Sequence, residues 1–207
     1  MKQKEDVLPL ELKFEAPSWY QVYDILLDLA DRIRKDGFKP DVIVGVSRGG
    51  WFPARVLSDL LSNPNLANVR AEFYLGVAET RGEPALTQPI SVAVAGKRLL
   101  IVDEVADTGK TLKLVKEHSI EQGAAETRTA TVYCKPWSIA KPDYYSKETG
   151  DWIVFPWELK ETIRKVTAEC RESGKPVEEQ VEKLRKAGIR DRLVKRFLKE
   201  ILEEERC

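Results

Sequence analysis

Leu99-Leu100-Ile101-Val102-Asp103-Glu104-Val105-Ala106-Asp107-Thr108-Gly109-Lys110-Thr111 is the stretch on which the reading of this 207-residue chain turns. Leu99 to Val102 form an apolar, β-branched run, the pattern of a buried parallel strand. Two carboxylates follow, Asp103 and Glu104. A loop of small residues comes next, and a helical pattern begins near Lys110. The backbone N–H groups of such a loop, together with the helix dipole, favour a bound phosphate. Two carboxylates beside a phosphate would repel it. They fit if they face the hydroxyls of a sugar, or a Mg²⁺ ion shared with a diphosphate. The implied ligand is a phosphorylated sugar. Ala106, Asp107, Thr108, Gly109, Lys110 and Thr111 would grip its phosphate, and Asp103 and Glu104 its ring. A Walker phosphate loop does not fit, because it requires glycine where Glu104 stands.

A second turn of similar character lies upstream. Pro40 introduces an apolar strand over residues 41–46, which runs into Ser47, Arg48, Gly49 and Gly50. A helix from Trp51 to Leu61 is predicted next, with Pro53 in its first turn. The glycines let backbone amides approach an anion closely. Arg48 adds a fixed charge matched to phosphate oxygens. Two anion-suited turns in one small α/β domain suit a ligand with phosphates at both ends.

Around these turns the chain alternates strand and helix. Residues 17–37 read as a helix, with a capping box at Ser18 and Gln21 and a glycine stop at Gly37. Residues 1–16 read as an extended lead-in. Strands are predicted at 69–75, 90–94 and 127–134, and a helix at 112–122. Residues 76–89 show no period and carry two prolines and two glycines, which reads as a long loop of the kind that acts as a lid. The order argues for an α/β fold with a central, mainly parallel sheet flanked by helices. Both anion turns then fall at the carboxyl ends of strands, where open α/β sheets bind ligands. After residue 158, Leu159–Arg171 and two amphipathic segments around Gly188 predict a helical extension. Val177, Val181, Leu184, Leu193, Phe197 and Ile201 form its apolar stripe.

The signature stretch resembles the phosphoribosyl-diphosphate motif of type I phosphoribosyltransferases: an apolar strand, two acids, then a loop ending Thr-Gly-x-Thr. Further on, Lys135-Pro136 and Asp151-Trp152-Ile153-Val154-Phe155-Pro156-Trp157-Glu158 resemble the purine-binding hood of the xanthine-guanine members. The resemblance runs over residues 41–158 and implies a phosphoribosyltransferase domain at 1–158, with a hood at about 133–158, and an extension at 159–207. It implies transfer of 5-phosphoribosyl from phosphoribosyl diphosphate to guanine, xanthine or hypoxanthine, yielding diphosphate and a purine nucleoside monophosphate, with Mg²⁺ as cofactor. It places the diphosphate on Ser47, Arg48 and Gly49, often around a non-proline cis peptide. It makes Asp103 and Glu104 the ribose contacts, reaching the metal through ribose or water, and Asp107 an acid near N7 of the base. The lid would carry Thr80 and Arg81. Residue chemistry agrees with the hood. Trp152 can stack a purine, Lys135 offers only donors and suits a carbonyl at position 6, and backbone groups at Ile153 could read position 2.

Composition narrows the classes. Lys and Arg together number 34, and so do Asp and Glu, which gives no electrostatic case for nucleic acid or an acidic membrane. No apolar run reaches the roughly 20 residues of a membrane-spanning helix. The charged N-terminus lacks a signal-peptide core, so the expected compartment is the cytoplasm. Cys134, Cys170 and Cys207 lack metal-ligand spacing. His118 is read as a surface residue without a catalytic role. A homodimer or higher homo-oligomer is expected. Two other readings remain. One is a non-catalytic regulator of the same fold, with Arg190, Arg192, Lys195, Arg196 and Lys199 as a nucleic-acid face. The other is a same-fold enzyme for adenine or a pyrimidine, which Lys135 and Trp152 argue against.

Overall fold

A computed structural model describes residues 13–74 and 82–204. In chain order its elements are β1 (Phe14–Glu15), α1 (Trp19–Lys35), β2 (Val42–Ser47), α2 (Trp51–Leu60), β3 (Leu66–Tyr74), β4 (Glu83–Gln88), β5 (Arg98–Ala106), α3 (Lys110–Glu121), β6 (Glu126–Cys134), β7 (Tyr144–Glu148), β8 (Trp152–Ile153), α4 (Leu159–Glu172), α5 (Val177–Lys186) and α6 (Asp191–Glu204). They fall into two compact units. One is Val22–Gly150, and the other combines residues 13–21 with 151–204.

The unit Val22–Gly150 holds a six-stranded sheet of order β4-β3-β2-β5-β6-β7. Every pair is parallel except β3 with β4. The central strands are apolar on both faces, as parallel strands covered by helices must be. In β2, Val42, Ile43, Val44 and Val46 are all buried, and so are Leu99 to Val102 in β5. Alternate residues Val42, Val44 and Val46, with Leu99 and Ile101, form one cluster with Leu112 and Val115 of α3. In α1, Val22, Leu26, Leu29 and Ile33 recur at helical spacing and are buried. At the amino ends of β2 and β5, Asp41 accepts from the Arg98 backbone N–H at 2.8 Å and from its guanidinium at 2.9 and 3.2 Å. This clip fixes the register Val42 opposite Leu99.

The hydrogen bonds from Arg98 hold the Asp41 carboxyl down at about 2, from an ordinary value of 3.8. A carboxyl depressed in the folded state stabilises the fold above its unfolded value and loses that contribution as pH falls through the folded one. Asp41→Asn is therefore expected to lower the thermal midpoint at neutral pH. Its difference from wild type should vanish as pH falls from about 4 to about 2. A difference that persisted unchanged at pH 2 would mean that the charge is not what the clip supplies.

Three expectations are corrected in this unit. Residues 76–89 were expected to be one loop, but Glu83–Gln88 is a strand, antiparallel to β3 with Pro84 opposite Phe73. Proline is tolerated there because β4 is the sheet edge and one side of it needs no donor. Residues 75–81, with the lid contacts Thr80 and Arg81, lie outside the described residues. Residues 90–94 form no strand. They run beside β3, tied by Ser91 N–H donating to the Asn68 carbonyl at 3.0 Å. Tyr144–Glu148, inside the expected hood, is the opposite edge strand.

The second unit pairs β1 with β8 in parallel, Phe14 opposite Trp152 and Glu15 opposite Ile153. The capping box forms, with Ser18 N–H donating to Gln21 Oε1 at 2.8 Å and Gln21 N–H to Ser18 Oγ at 3.3 Å. Val154, Ile163, Val181, Leu184, Ile189, Val194 and Ile201 make the core, and Phe14, Trp152, Phe197 and Leu198 pack on it. The compact helical unit thus includes 151–158 and the lead-in strand. The reason is the long-range pairing of β8 with β1. Three of the four basic residues of α6 carry acidic partners: Lys195 pairs with Asp191, Arg196 with Glu200 and Lys199 with Glu203. Such a face is self-compensated and makes a poor nucleic-acid surface. No helix of the described residues is long and apolar enough to cross a membrane.

Candidate active site

The carboxyl ends of β2, β5 and β6, adjacent in the sheet, carry three loops of the unit Val22–Gly150. The first follows β2. It contains a cis peptide between Ser47 and Arg48, as the resemblance implied. Gly49 and Gly50 then lead into α2. A Cβ on Gly50 would lie 2.5 Å from the Val102 carbonyl, 2.7 Å from that of Val46 and 2.8 Å from Asp103 Cα. The loop is therefore seated on the signature strand itself. A Cβ on Gly49 would lie 1.5 to 1.9 Å from the Glu104 carboxylate. The first loop and the acidic pair are thus in close approach, which the missing side chain of Gly49 permits. Arg48 is exposed.

The second loop ends β5. The Asp103 carboxylate accepts from the Glu104 backbone N–H at 2.9 Å. Burial pushes the Asp103 carboxyl well above the ordinary carboxylate range, and the hydrogen bonds from Glu104 oppose the shift. Ala106, Asp107 and Thr108 then lead to Gly109, which caps α3 with φ +79°. That left-handed conformation suits glycine. Lys110 N–H donates to Thr108 Oγ1 at 3.3 Å. Successive backbone amides are exposed at the start of α3, a geometry suited to an anion. The Lys110 ammonium pairs with Glu83 of β4 at 2.5 Å, a partner that the sequence did not reveal because the edge strand itself was missed.

The third loop follows β6 and lies against the second. Lys135 N–H donates to the Ala106 carbonyl at 2.9 Å, and Ile139 N–H to that of Thr108 at 3.0 Å. A Cβ on Gly109 would meet Ser138 Oγ and Ala140 N, each at 2.6 Å. Lys135 is buried. Trp137, which sequence reasoning passed over, donates its indole N–H to Asp107 Oδ1 at 2.9 Å. The Lys135 ammonium sits 5.4 Å from the Trp137 ring centroid. The one available signal was a tryptophan two residues beyond the singled-out lysine.

The three loops therefore bring together Ser47, Arg48 and Gly49, the pair Asp103 and Glu104, the stretch Ala106 to Thr111, and Lys135. Trp152 and Ile153 belong to the other unit. There Ile153 is buried and Trp152, half-buried, packs on the helical core opposite Phe14. In the same unit Trp157 stacks on Phe155 at 4.8 Å. His118 is half-buried on α3, away from the loop end of that helix.

Residues 18–163 match the family described as "Phosphoribosyl transferase domain". A xanthine-guanine phosphoribosyltransferase of Cereibacter sphaeroides is 32% identical over 160 residues, covering 73% of this chain and 90% of that protein. The corresponding enzyme of Gluconobacter oxydans is 30% identical over 154 residues, covering 72% and 88%. Among solved structures, a purine phosphoribosyltransferase from Pyrococcus horikoshii is 41% identical with a TM-score of 0.64, covering 70% of this chain and 94% of that one. With residues 18–163 matched by the family and relatives of 30% and 32% identity covered over most of their length, this chain belongs to the phosphoribosyltransferases.

Proposed function

We propose that the protein transfers the 5-phosphoribosyl group of phosphoribosyl diphosphate to a 6-oxopurine: guanine, xanthine or hypoxanthine. The reading is carried by one observation above the others. The Glu104 carboxylate occupies the space left by the absent Gly49 side chain, so a sugar held by the acids has its diphosphate beside the first loop. The curated relatives named as xanthine-guanine phosphoribosyltransferases support the choice of base.

In this reading the bond from C1 of the ribose to the diphosphate oxygen breaks as the bond to a ring nitrogen of the base forms. Positive charge develops on the sugar, the charge type met in glycoside hydrolysis. Asp103 and Glu104 orient the ribose hydroxyls and favour that charge. Arg48 and the amides at Ser47 and Gly49 hold the leaving diphosphate. Amides from Ala106 to Thr111 anchor the 5′-phosphate. Asp107 accepts the proton that the base loses, and Lys135 donates to the carbonyl at position 6.

A Mg²⁺ ion fits the donor set. Asp103 and Glu104 offer hard oxygen ligands. That is the pattern of an ion bound by one or two carboxylates together with substrate phosphates. When bound, the ion neutralises the leaving diphosphate. The charged phosphate esters consumed and produced do not cross membranes, which supports action in the cytoplasm, and we propose a homo-oligomer.

The test is direct. With Mg²⁺, phosphoribosyl diphosphate and each base, nucleotide is expected from at least one 6-oxopurine and little from adenine. Adenine presents a donor amino group to Lys135, which has no acceptor to offer. An enzyme that used adenine faster than all three oxopurines would overturn the assignment.

A further inference from the structure

We propose that Trp137 is a positioning residue that holds Asp107 and Lys135 in fixed relation through a single indole ring. The inference rests on the reading of Asp107 and Lys135 as groups that meet the base. On a 6-oxopurine the carbonyl at position 6 and N7 lie on one edge of the ring system, side by side. A carboxylate and an ammonium that read them must therefore keep a constant spacing. Asp107 is in a loop, and Lys135 carries its charge on a flexible four-carbon stem.

Trp137 touches both. Its N–H donates to Asp107 Oδ1 at 2.9 Å, a charge-assisted bond with well-defined direction. The indole has only this one donor, and it engages one oxygen of the carboxylate. The other oxygen remains as an acceptor for a ring N–H of the base. The Lys135 ammonium lies 5.4 Å from the centroid of the same ring, within cation–π range. The backbone beneath is clamped separately. Lys135 N–H bonds to Ala106, Ile139 N–H bonds to Thr108, and Gly109 abuts Ser138 and Ala140. The indole is thus mounted on the same body as Asp107. Trp137 is 56% exposed, so burial in a core does not account for a tryptophan here. Its two polar contacts do.

Trp137→Phe keeps a ring beneath Lys135 and removes the N–H. Its kcat/KM for the preferred 6-oxopurine is expected to fall about tenfold, with KM for phosphoribosyl diphosphate unchanged within about twofold. In an Asp107→Asn background the same substitution should change turnover less than about twofold, because the two residues act as one unit. A readout independent of turnover comes from the indole N–H signals of the five tryptophans in the full chain. The signal lost in Trp137→Phe identifies Trp137, and that signal is expected to move in Asp107→Asn, where the acceptor loses its charge. Wild-type kinetics in Trp137→Phe, an equal loss in both backgrounds, or an unmoved signal would each overturn the proposal. A wild-type enzyme that transfers nothing to any purine would refute the proposed function instead, and the spectra would still decide whether Trp137 holds Asp107.

Discussion

Glu104→Gln is expected to lower kcat about 100-fold while KM for phosphoribosyl diphosphate changes little, and Asp103→Asn is expected to do the same. Each change keeps size and shape and removes a negative charge. That charge matters most when the sugar is most positive, in the transition state, so its loss falls on kcat and not on ground-state binding. Asp103 offers a second observable. Burial raises its carboxyl in the folded protein, so the folded state binds more protons than the unfolded one above the ordinary carboxylate range. Stability is then lost as pH rises through the folded value. Asn carries no such penalty. Ligand-free Asp103→Asn should therefore melt above wild type at neutral pH, with the difference fading toward pH 4. A slower but more stable enzyme cannot be explained by damage to the fold. Should both variants keep wild-type kcat and change only KM, the electrostatic role would be wrong.

Both strand-to-helix turns were legible in the sequence because their signals are local. A buried parallel strand reads as an unbroken apolar run, and a glycine or acidic loop at its end marks the corner. β2 and β5, the cis-peptide loop and the cap at Gly109 are all of this kind. What escaped is defined by distant partners. β4 carries Pro84 and has little apolar alternation, and it is a strand only because β3 lies beside it. Residues 90–94 alternate like a strand but are tied to β3 through Ser91 and Asn68 without a strand ladder. β8 is two residues long and owes its existence to Phe14 and Glu15, far away in the chain. That pairing places 151–158 with the helices, which no local pattern reveals. Trp137 escaped for the same reason. Its partner Asp107 lies 30 positions earlier, and only the adjacency of β5 and β6 brings their loops together.

Gly49 and Gly50 are neighbours whose replacement by alanine is expected to fail in different ways. Gly50 has φ −64° and ψ −12°, a conformation that alanine adopts readily, so no backbone penalty enters. The obstacle is space. A methyl group there meets backbone atoms of Val46, Val102 and Asp103 at 2.5 to 2.8 Å, and these belong to the two central strands, which cannot yield without breaking their ladder. Overpacking of this kind costs about 1–3 kcal/mol and sometimes more, or a melting temperature lower by roughly 2–4 °C per kcal/mol for a chain of this size. Gly49 faces the far end of a flexible side chain, the Glu104 carboxylate. That group can swing aside, so Gly49→Ala should fold with a melting temperature near wild type. It should nevertheless lose about 100-fold in kcat, as Glu104→Gln does, because methyl and carboxylate cannot share the site. The double variant Gly49→Ala with Glu104→Gln should be no slower than either single one, since both remove the same charge from the same place. Thermal melts and steady-state rates of the four proteins decide the matter. Additive losses in the double variant, or a Gly50→Ala protein that melts like wild type, would show that the two loops do not touch as described.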